Sequence, residues 1–248
     1  ATIDVAAGTF TDAAGNNNTA TTNTHSLSFD GVDDYVIVPD NASLNPTSEI
    51  SIAFNIYMSE YQNDETTLIN KWKGDDRGYI VYFGDPNNDP GKFGFSVQSP
   101  GAQYHCFMEQ SMLSLNTWHY VVAVVNDTSL QLYLDGTNVA QTMTEYPGLG
   151  SSSEPLYFGA YGSFSQHRFY NGKLDNVHIW STALTQSQIQ SYMTTPPAGS
   201  ETGLVAYWNF NEGSGTTLTD QTSNDNDGTI SGASWSTDVP ATTQFNWT

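Results

Sequence analysis

The sequence predicts an all-β protein, a two-sheet antiparallel sandwich with one short helix, on three observations. Short runs of alternating apolar residues recur along the chain, separated by Gly, Asp, Asn and Pro turn signals at sandwich spacing. Strand-favouring side chains are abundant, with 14 Tyr, 12 Phe and 6 Trp, whereas Lys-, Glu- and Ala-rich helical runs are scarce. The 248 residues suffice for one large β domain, whose core needs no staples. The one cysteine, Cys106, rules out an intrachain disulfide framework.

Residues 1 to 25 are rich in Thr, Asn, Ala and Gly, with a weak strand expected near Thr2 to Val5. Ser26 to Phe29 then reads as a strand, Asp30-Gly31 as a tight turn and Asp34 to Val38 as the returning strand. Ile50, Ile52, Phe54, Ile56 and Met58 alternate with smaller or polar residues, predicting a half-buried strand. Thr66 to Asn70 and Gly78 to Phe83 form the next pair, followed by Lys92 to Val97 and Tyr104 to Glu109. Tyr120 to Val125 is apolar on both faces and reads as a central strand. Leu130, Leu132 and Leu134 alternate into Asp135-Gly136, a strong hairpin signal before Val139 to Met143. Pro155 to Ala160 and Lys173 to Ser181 complete the run. The helix is expected after Leu184: Thr185 and Gln188 form a capping box, Leu184 and Ile189 a hydrophobic staple, and Pro196-Pro197 stop it after Met193.

Four stretches carry a resemblance. Phe29-Asp30-Gly31-Val32-Asp33-Asp34-Tyr35-Val36, LINKWKGDDRGY at 68 to 79, NTWHYVVAVVNDTSLQLYLDG at 116 to 136 and GKLDNVHIW at 172 to 180 follow in order. Together they resemble the laminin-G-like jelly-roll domains of the concanavalin A-like lectin/glucanase superfamily, over residues 9 to 193. The resemblance implies a jelly-roll sandwich over residues 1 to 193 and speaks far less to what the fold does. Residues 194 to 203 read as a linker. Residues 204 to 248 are expected to pack on the same domain, because Leu204, Ala206, Trp208 and Phe210 alternate and need an apolar partner. The other reading of this segment is the start of a next module. Residues 217 to 230, TLTDQTSNDNDGTI, echo residues 9 to 22, with Asp220 matching Asp12.

Charge bounds the partners. The chain carries 26 acidic and 6 basic residues, a net charge of −20. Such a chain cannot hold a nucleic-acid backbone by counterion release. The same field repels anionic membranes and polyanions, which favours a neutral polysaccharide or oligosaccharide over a sulfated or uronic one. With so few cations available, a buried carboxylate calls for a divalent ion, and oxygen-rich sites suit Ca²⁺. No stretch reaches the length of a membrane span, and no leader is seen, so Ala1 is expected to begin an excised or mature fragment of an extracellular protein, monomeric and joined to catalytic or adhesin domains.

Three chemistries are weighed. Asp30, Asp33 and Asp34 crowd one turn, which fits a solvated acidic hairpin or a metal site. Asp175 shares a strand face with Val177 and Ile179 by simple alternation, so its carboxylate is expected among apolar neighbours. The resemblance implies a structural Ca²⁺ held by Asp175 and Asp30, with the Gly31 carbonyl and Asp12; hydrogen bonding of Asp175 to backbone amides without metal is the alternative. For a glycan, loop aromatics and polar groups nominate Asp76, Arg77, Tyr104, Tyr161, Phe164 and His167. Catalysis is not expected: the Glu-x-Asp-x-x-Glu pattern of the superfamily's glucanases is missing, and His105 and Cys106, adjacent on a strand, face opposite ways. The reading is therefore a non-catalytic, Ca²⁺-stabilised carbohydrate-binding module; the alternative is an adhesion or spacer module of a cell-surface protein without a glycan ligand.

Overall fold

The structure, a computed structural model, describes residues 23–63, 65–73, 78–84, 91–99, 102–143, 148–162 and 168–241. The expected strand at Thr2 to Val5 lies outside them. In chain order the strands are β1 (Ser26–Asp30), β2 (Tyr35–Val38), β3 (Ile50–Tyr57), β4 (Thr67–Asn70), β5 (Tyr79–Phe83), β6 (Lys92–Ser99), β7 (Ala102–Glu109) and β8 (Trp118–Asn126). They continue as β9 (Ser129–Leu134), β10 (Thr137–Met143), β11 (Leu156–Phe158), β12 (Asn171–Trp180), helix α1 (Gln186–Thr194), β13 (Leu204–Trp208), β14 (Thr217–Leu218), β15 (Gly228–Ser231) and β16 (Ser234–Ser236).

They form two eight-stranded sheets, and every named pairing is antiparallel. The first runs β10-β9-β8-β3-β12-β1-β16 with β13 also on β12; the second runs β14-β15-β2-β11-β4-β5-β6-β7. Alternation decides what lies between them. Leu27, Phe29, Ile52, Phe54, Val121 and Leu132 point inward from the first sheet, and Val36, Val38, Val81, Phe83, Phe95 and Phe158 meet them from the second. The Asp135-Gly136 hairpin forms as its residues dictate: both take positive φ, 48° and 75°, which matches the strand twist.

The first sheet is covered on its outer face too. Ala53, Tyr120, Val122, Val124, Trp180 and Tyr207 make a second apolar cluster under Leu184 and Ile189 at the start of α1. This corrects the half-buried reading for the first half of β3: its core side carries the isoleucines, and on its other side Ser51 and Ala53 are buried too, while Asn55 and Tyr57 stay half-buried. The helix begins where expected, with the Thr185 side chain accepting from Gln188 N and Gln188 returning to the Thr185 backbone.

Residues 204 to 236 supply strands to both sheets. β13 pairs with the distal half of β12, β16 flanks β1, and β15 pairs with β2. Trp208, Phe210, Leu218 and Ile230 enter the main core, and Trp208 meets Phe158 edge-on at 5.0 Å between ring centroids. Asp220, buried, ties the segment together: it accepts from Tyr207 N, Thr222 N, Thr222 Oγ1 and Asn226 N at 2.8 to 3.0 Å. The segment before it is ordered as well, with Glu201 accepting from the Ala198 and Gly199 amides.

Candidate functional site

The β1–β2 turn is the most acidic point of the fold. Asp30 ends β1, Gly31 follows at φ 79°, and a Cβ there would stand 2.9 Å from the Asn171 side chain. The Asp30 carboxylate accepts from Val32 N at 2.8 Å, and the Asp34 carboxylate accepts from Asp30 N at 2.8 Å. These bonds curl the turn so that one oxygen each from Asp30, Asp33 and Asp34 lies within 4.8 Å of the others. Burial pushes the Asp34 carboxyl up; the bond from Asp30 N opposes this, and the charges of Asp30 and Asp33 add to it. Three such oxygens can coordinate a divalent cation. Asp33 belongs to this group, although the expected ligand set passed over it.

Asp175 lies elsewhere. β1 and β12 run antiparallel with Asp30 opposite Asn171, while Asp175 is opposite Asn55 of β3, at the other end of β1. Four strand positions separate the two carboxylates, roughly 13 Å at about 3.3 Å per residue. The structure thus does not bring Asp30 and the Gly31 carbonyl together with Asp175; Asp12 is outside the described residues. Simple alternation also fails here. Asn176 takes φ 48° and the β12–β3 register shifts, so a β-bulge turns Asp175 away from Val177 and Ile179, which stay in the core. The carboxyl points to the outer side of the first sheet, fully buried, and accepts from Asn23 Nδ2 at 2.5 Å and Asn176 N at 2.7 Å. Burial outweighs both bonds and pushes it up to about 8. Beside it, Asn23 Oδ1 is buried without a partner. An orphaned oxygen next to a carboxyl forced out of its ordinary range is an arrangement that a cation relieves.

The third place is the outer face of the second sheet. Strand alternation aims Tyr35, Tyr157, Tyr82, His105 and Phe107 away from the core; the Tyr35–Tyr157 and Tyr82–Phe107 ring pairs lie at 6.3 and 5.7 Å, and His105 stacks on Phe107 at 5.8 Å. Ser96 Oγ joins Tyr82 Oη and His105 Nδ1. Tyr161 lies under the Arg168 guanidinium, 4.8 Å from its ring centre, and Arg168 pairs with Glu65 at 2.7 Å. Tyr104 is different: it packs half-buried against the core, on the same strand face as Cys106 and Met108, so on β7 it is His105 and Phe107 that face outward. Asp76, Arg77, Phe164 and His167 are outside the described residues. Cys106 is buried and its thiol is pushed up by burial, a core side chain facing away from His105.

One residue of this region escaped the sequence reading, and a neighbour of it is structural. Asn70, opposite Tyr157 and Ile80 on the outward face of β4, is buried with neither end of its amide bonded. Nothing in the string LINK marks it. Lys71 is wholly buried, its ammonium held by Asp40 Oδ1 at 2.5 Å and by the carbonyls of Ser152 and Glu154. The first lysine of LINKWKGDDRGY is therefore framework.

Two antiparallel sheets joined face to face under a roofing helix define a jelly-roll sandwich. The description of the concanavalin A-like lectin/glucanases superfamily matches residues 30–190. The chain belongs to this superfamily, as a laminin-G-like jelly roll. Among solved structures it is similar to a Bacteroides ovatus protein for which carbohydrate binding has been suggested, at 22% identity and a TM-score of 0.69, covering 88% of this chain and 61% of that one. It is also similar to the binding domain of Paraclostridial Mosquitocidal Protein 1, at 19% identity and a TM-score of 0.52, covering 75% of this chain and 49% of that one. These likenesses support the fold, and this chain spans less than two thirds of either protein. Both of those proteins are described by binding. No curated protein matches the sequence. Among the described residues no helix is long and apolar enough to cross a membrane.

Proposed function

We propose that the chain is a non-catalytic carbohydrate-binding module of an extracellular protein, which raises the local concentration of a polysaccharide for the domains joined to it. The outward aromatic rows of the second sheet carry this reading. Rings held in place by one another, by Ser96 and by Arg168 offer flat apolar faces beside hydroxyl, imidazole and amide groups, the pairing that a pyranose needs. Tyr161, together with Asp76, Arg77, Phe164 and His167, is proposed to contact the sugar, and Tyr104 to support the face from behind. A net charge of −20 favours a neutral glycan.

Ca²⁺ is proposed as the stabilising ion. Asp30, Asp33 and Asp34 offer one set of hard oxygen ligands, and Asp175 with Asn23 Oδ1 offers a second, to which Asp12 is a candidate addition.

Retention on immobilised neutral glucans, galactans and mannans, and on alginate and sulfated fucans, with Ca²⁺ and with chelator, tests the reading. Retention on one neutral glycan is expected. Calcium dependence of that retention would bring the ion to the ligand; independence would leave it structural. No retention on any glycan, with a melting temperature still lowered by chelator, would replace this reading with the spacer or adhesion module.

A further inference from the structure

The outer side of the first sheet holds a groove of about 960 Å³, within the range of small-molecule sites. Its floor is the distal half of β12 with β8 and β13. There His178 Nε2 meets Tyr120 Oη at 3.3 Å, and Tyr207 Oη donates to Asn176 Oδ1 at 2.9 Å. Its walls are Trp118, the end of α1 with the residues after it, and Val239 to Ala241.

Three observations say what the groove is built to take. First, among the described residues no Lys or Arg lines it, and the one carboxylate among them, Asp135, is engaged by His119 Nδ1 at 2.8 Å and by Tyr120 N at 2.9 Å. His178 is kept neutral, pushed down to about 3 by burial. On a chain of charge −20 this is an electrically quiet surface. Second, it carries amide donors without partners. Asn209 Oδ1 accepts from Asn211 N, Asn211 Oδ1 accepts from the Thr24 and His25 amides, and Asn176 Oδ1 accepts from Tyr207. No Nδ2 group of these three has a partner among the described residues. Phe210, at φ 57° and fully buried, puts Asn209 and Asn211 side by side on the outside. Third, Trp118 is a fixed platform. Its Nε1 donates to Asp238 Oδ1 at 3.1 Å, Asp238 also holds Lys173, and the Tyr57 ring lies 5.6 Å away.

We infer that this groove is a second carbohydrate site, one that takes a short neutral oligosaccharide with a ring face on Trp118 and ring or hydroxyl oxygens on the Asn176, Asn209 and Asn211 amides. The inference rests on the carbohydrate reading but on the opposite sheet, so it stands or falls separately from the aromatic rows of the second sheet. A sugar suits the groove because hydroxyls satisfy unpaired donors without bringing charge.

The test is NMR titration of the intact chain with neutral gluco-, galacto- and manno-oligosaccharides, on wild type and on Trp118→Ala, Asn209→Asp and Tyr161→Ala. Asn209→Asp keeps the bond to Asn211 N and replaces the donor by an acceptor, so it reads recognition where Trp118→Ala also removes packing. The amides of Asn176, Asn209 and Asn211 are expected to shift with one of these sugars. Affinity should fall by about tenfold or more in Trp118→Ala and Asn209→Asp, with Tyr161→Ala unchanged at this site. Binding that Tyr161→Ala abolishes and the other two variants leave intact would place the sugar on the second sheet alone and overturn the inference. Wild type that is retained on a glycan while the groove amides stay still would overturn it too, and point to the chain's own residues 1–22, which lead into Asn23 at the rim, as the occupant. A chain that binds no sugar at all would remove the carbohydrate reading with it.

Discussion

Asp175 combines complete burial, two donated hydrogen bonds and a carboxyl pushed up to about 8. The folded chain therefore keeps a proton that the unfolded chain releases near the ordinary aspartate value, about 3.9. Stability from this group is full below that value and declines as pH rises to about 8. Scanning calorimetry in chelator between pH 5 and pH 8 should show wild type losing melting temperature relative to Asp175→Asn, which has nothing to titrate there; parallel profiles would mean that the carboxyl is not perturbed. Ca²⁺ at this oxygen set would invert the slope, raising the melting temperature of wild type most at pH 8 and that of Asp175→Asn little. The hairpin answers separately. Asp34 is the buried member of the acidic trio, so Asp34→Asn should relieve its repulsion in chelator and abolish any calcium-induced rise that survives in Asp175→Asn.

At the scale of elements, the bulge in β12 governs the outer side of the first sheet. It turns Asp175 outward and places Asn176 under Tyr207 Oη. A β-branched residue at φ 48° is strained by roughly 1 to 2 kcal/mol, so Asn176→Val should lower stability in urea by more than Asn176→Gly, which loses only the side-chain bond; equal losses would count against backbone strain. This element also shows the limit of reading the sequence. Strand positions, the Asp135-Gly136 turn and the capped start of α1 were legible because each rests on local chemistry: alternation, positive-φ residues, a box closed within four positions. GKLDNVHIW gives no sign that its alternation breaks between Asp175 and Val177, because a bulge is set by neighbouring strands. The same applies to the candidate sites. The crowding of Asp30, Asp33 and Asp34 is visible in one turn, whereas the separation of Asp30 from Asp175 is fixed by strand register, and the unpaired amide of Asn70 by three-strand packing.

For the molecule as a whole, residues 204 to 236 are structural members of the sandwich. Their strands lie on β1, β2 and β12, and Trp208 and Phe210 are wholly buried in its core. The chain should consequently unfold in urea as one transition, with no separate loss of the C-terminal strands. Asp220→Ala, which strands four donors, should lower that midpoint, by about 3 kcal/mol of stability if two of them stay unsatisfied. An early partial transition instead would show a segment held only loosely. The pairing of β16 with β1 also brings the first and last strands of the described chain side by side. Ser26 lies opposite Ser236, and its hydroxyl donates to the Asp238 carbonyl at 2.6 Å. A domain whose two ends meet side by side can be spliced into a surface loop of another protein without prying that loop open.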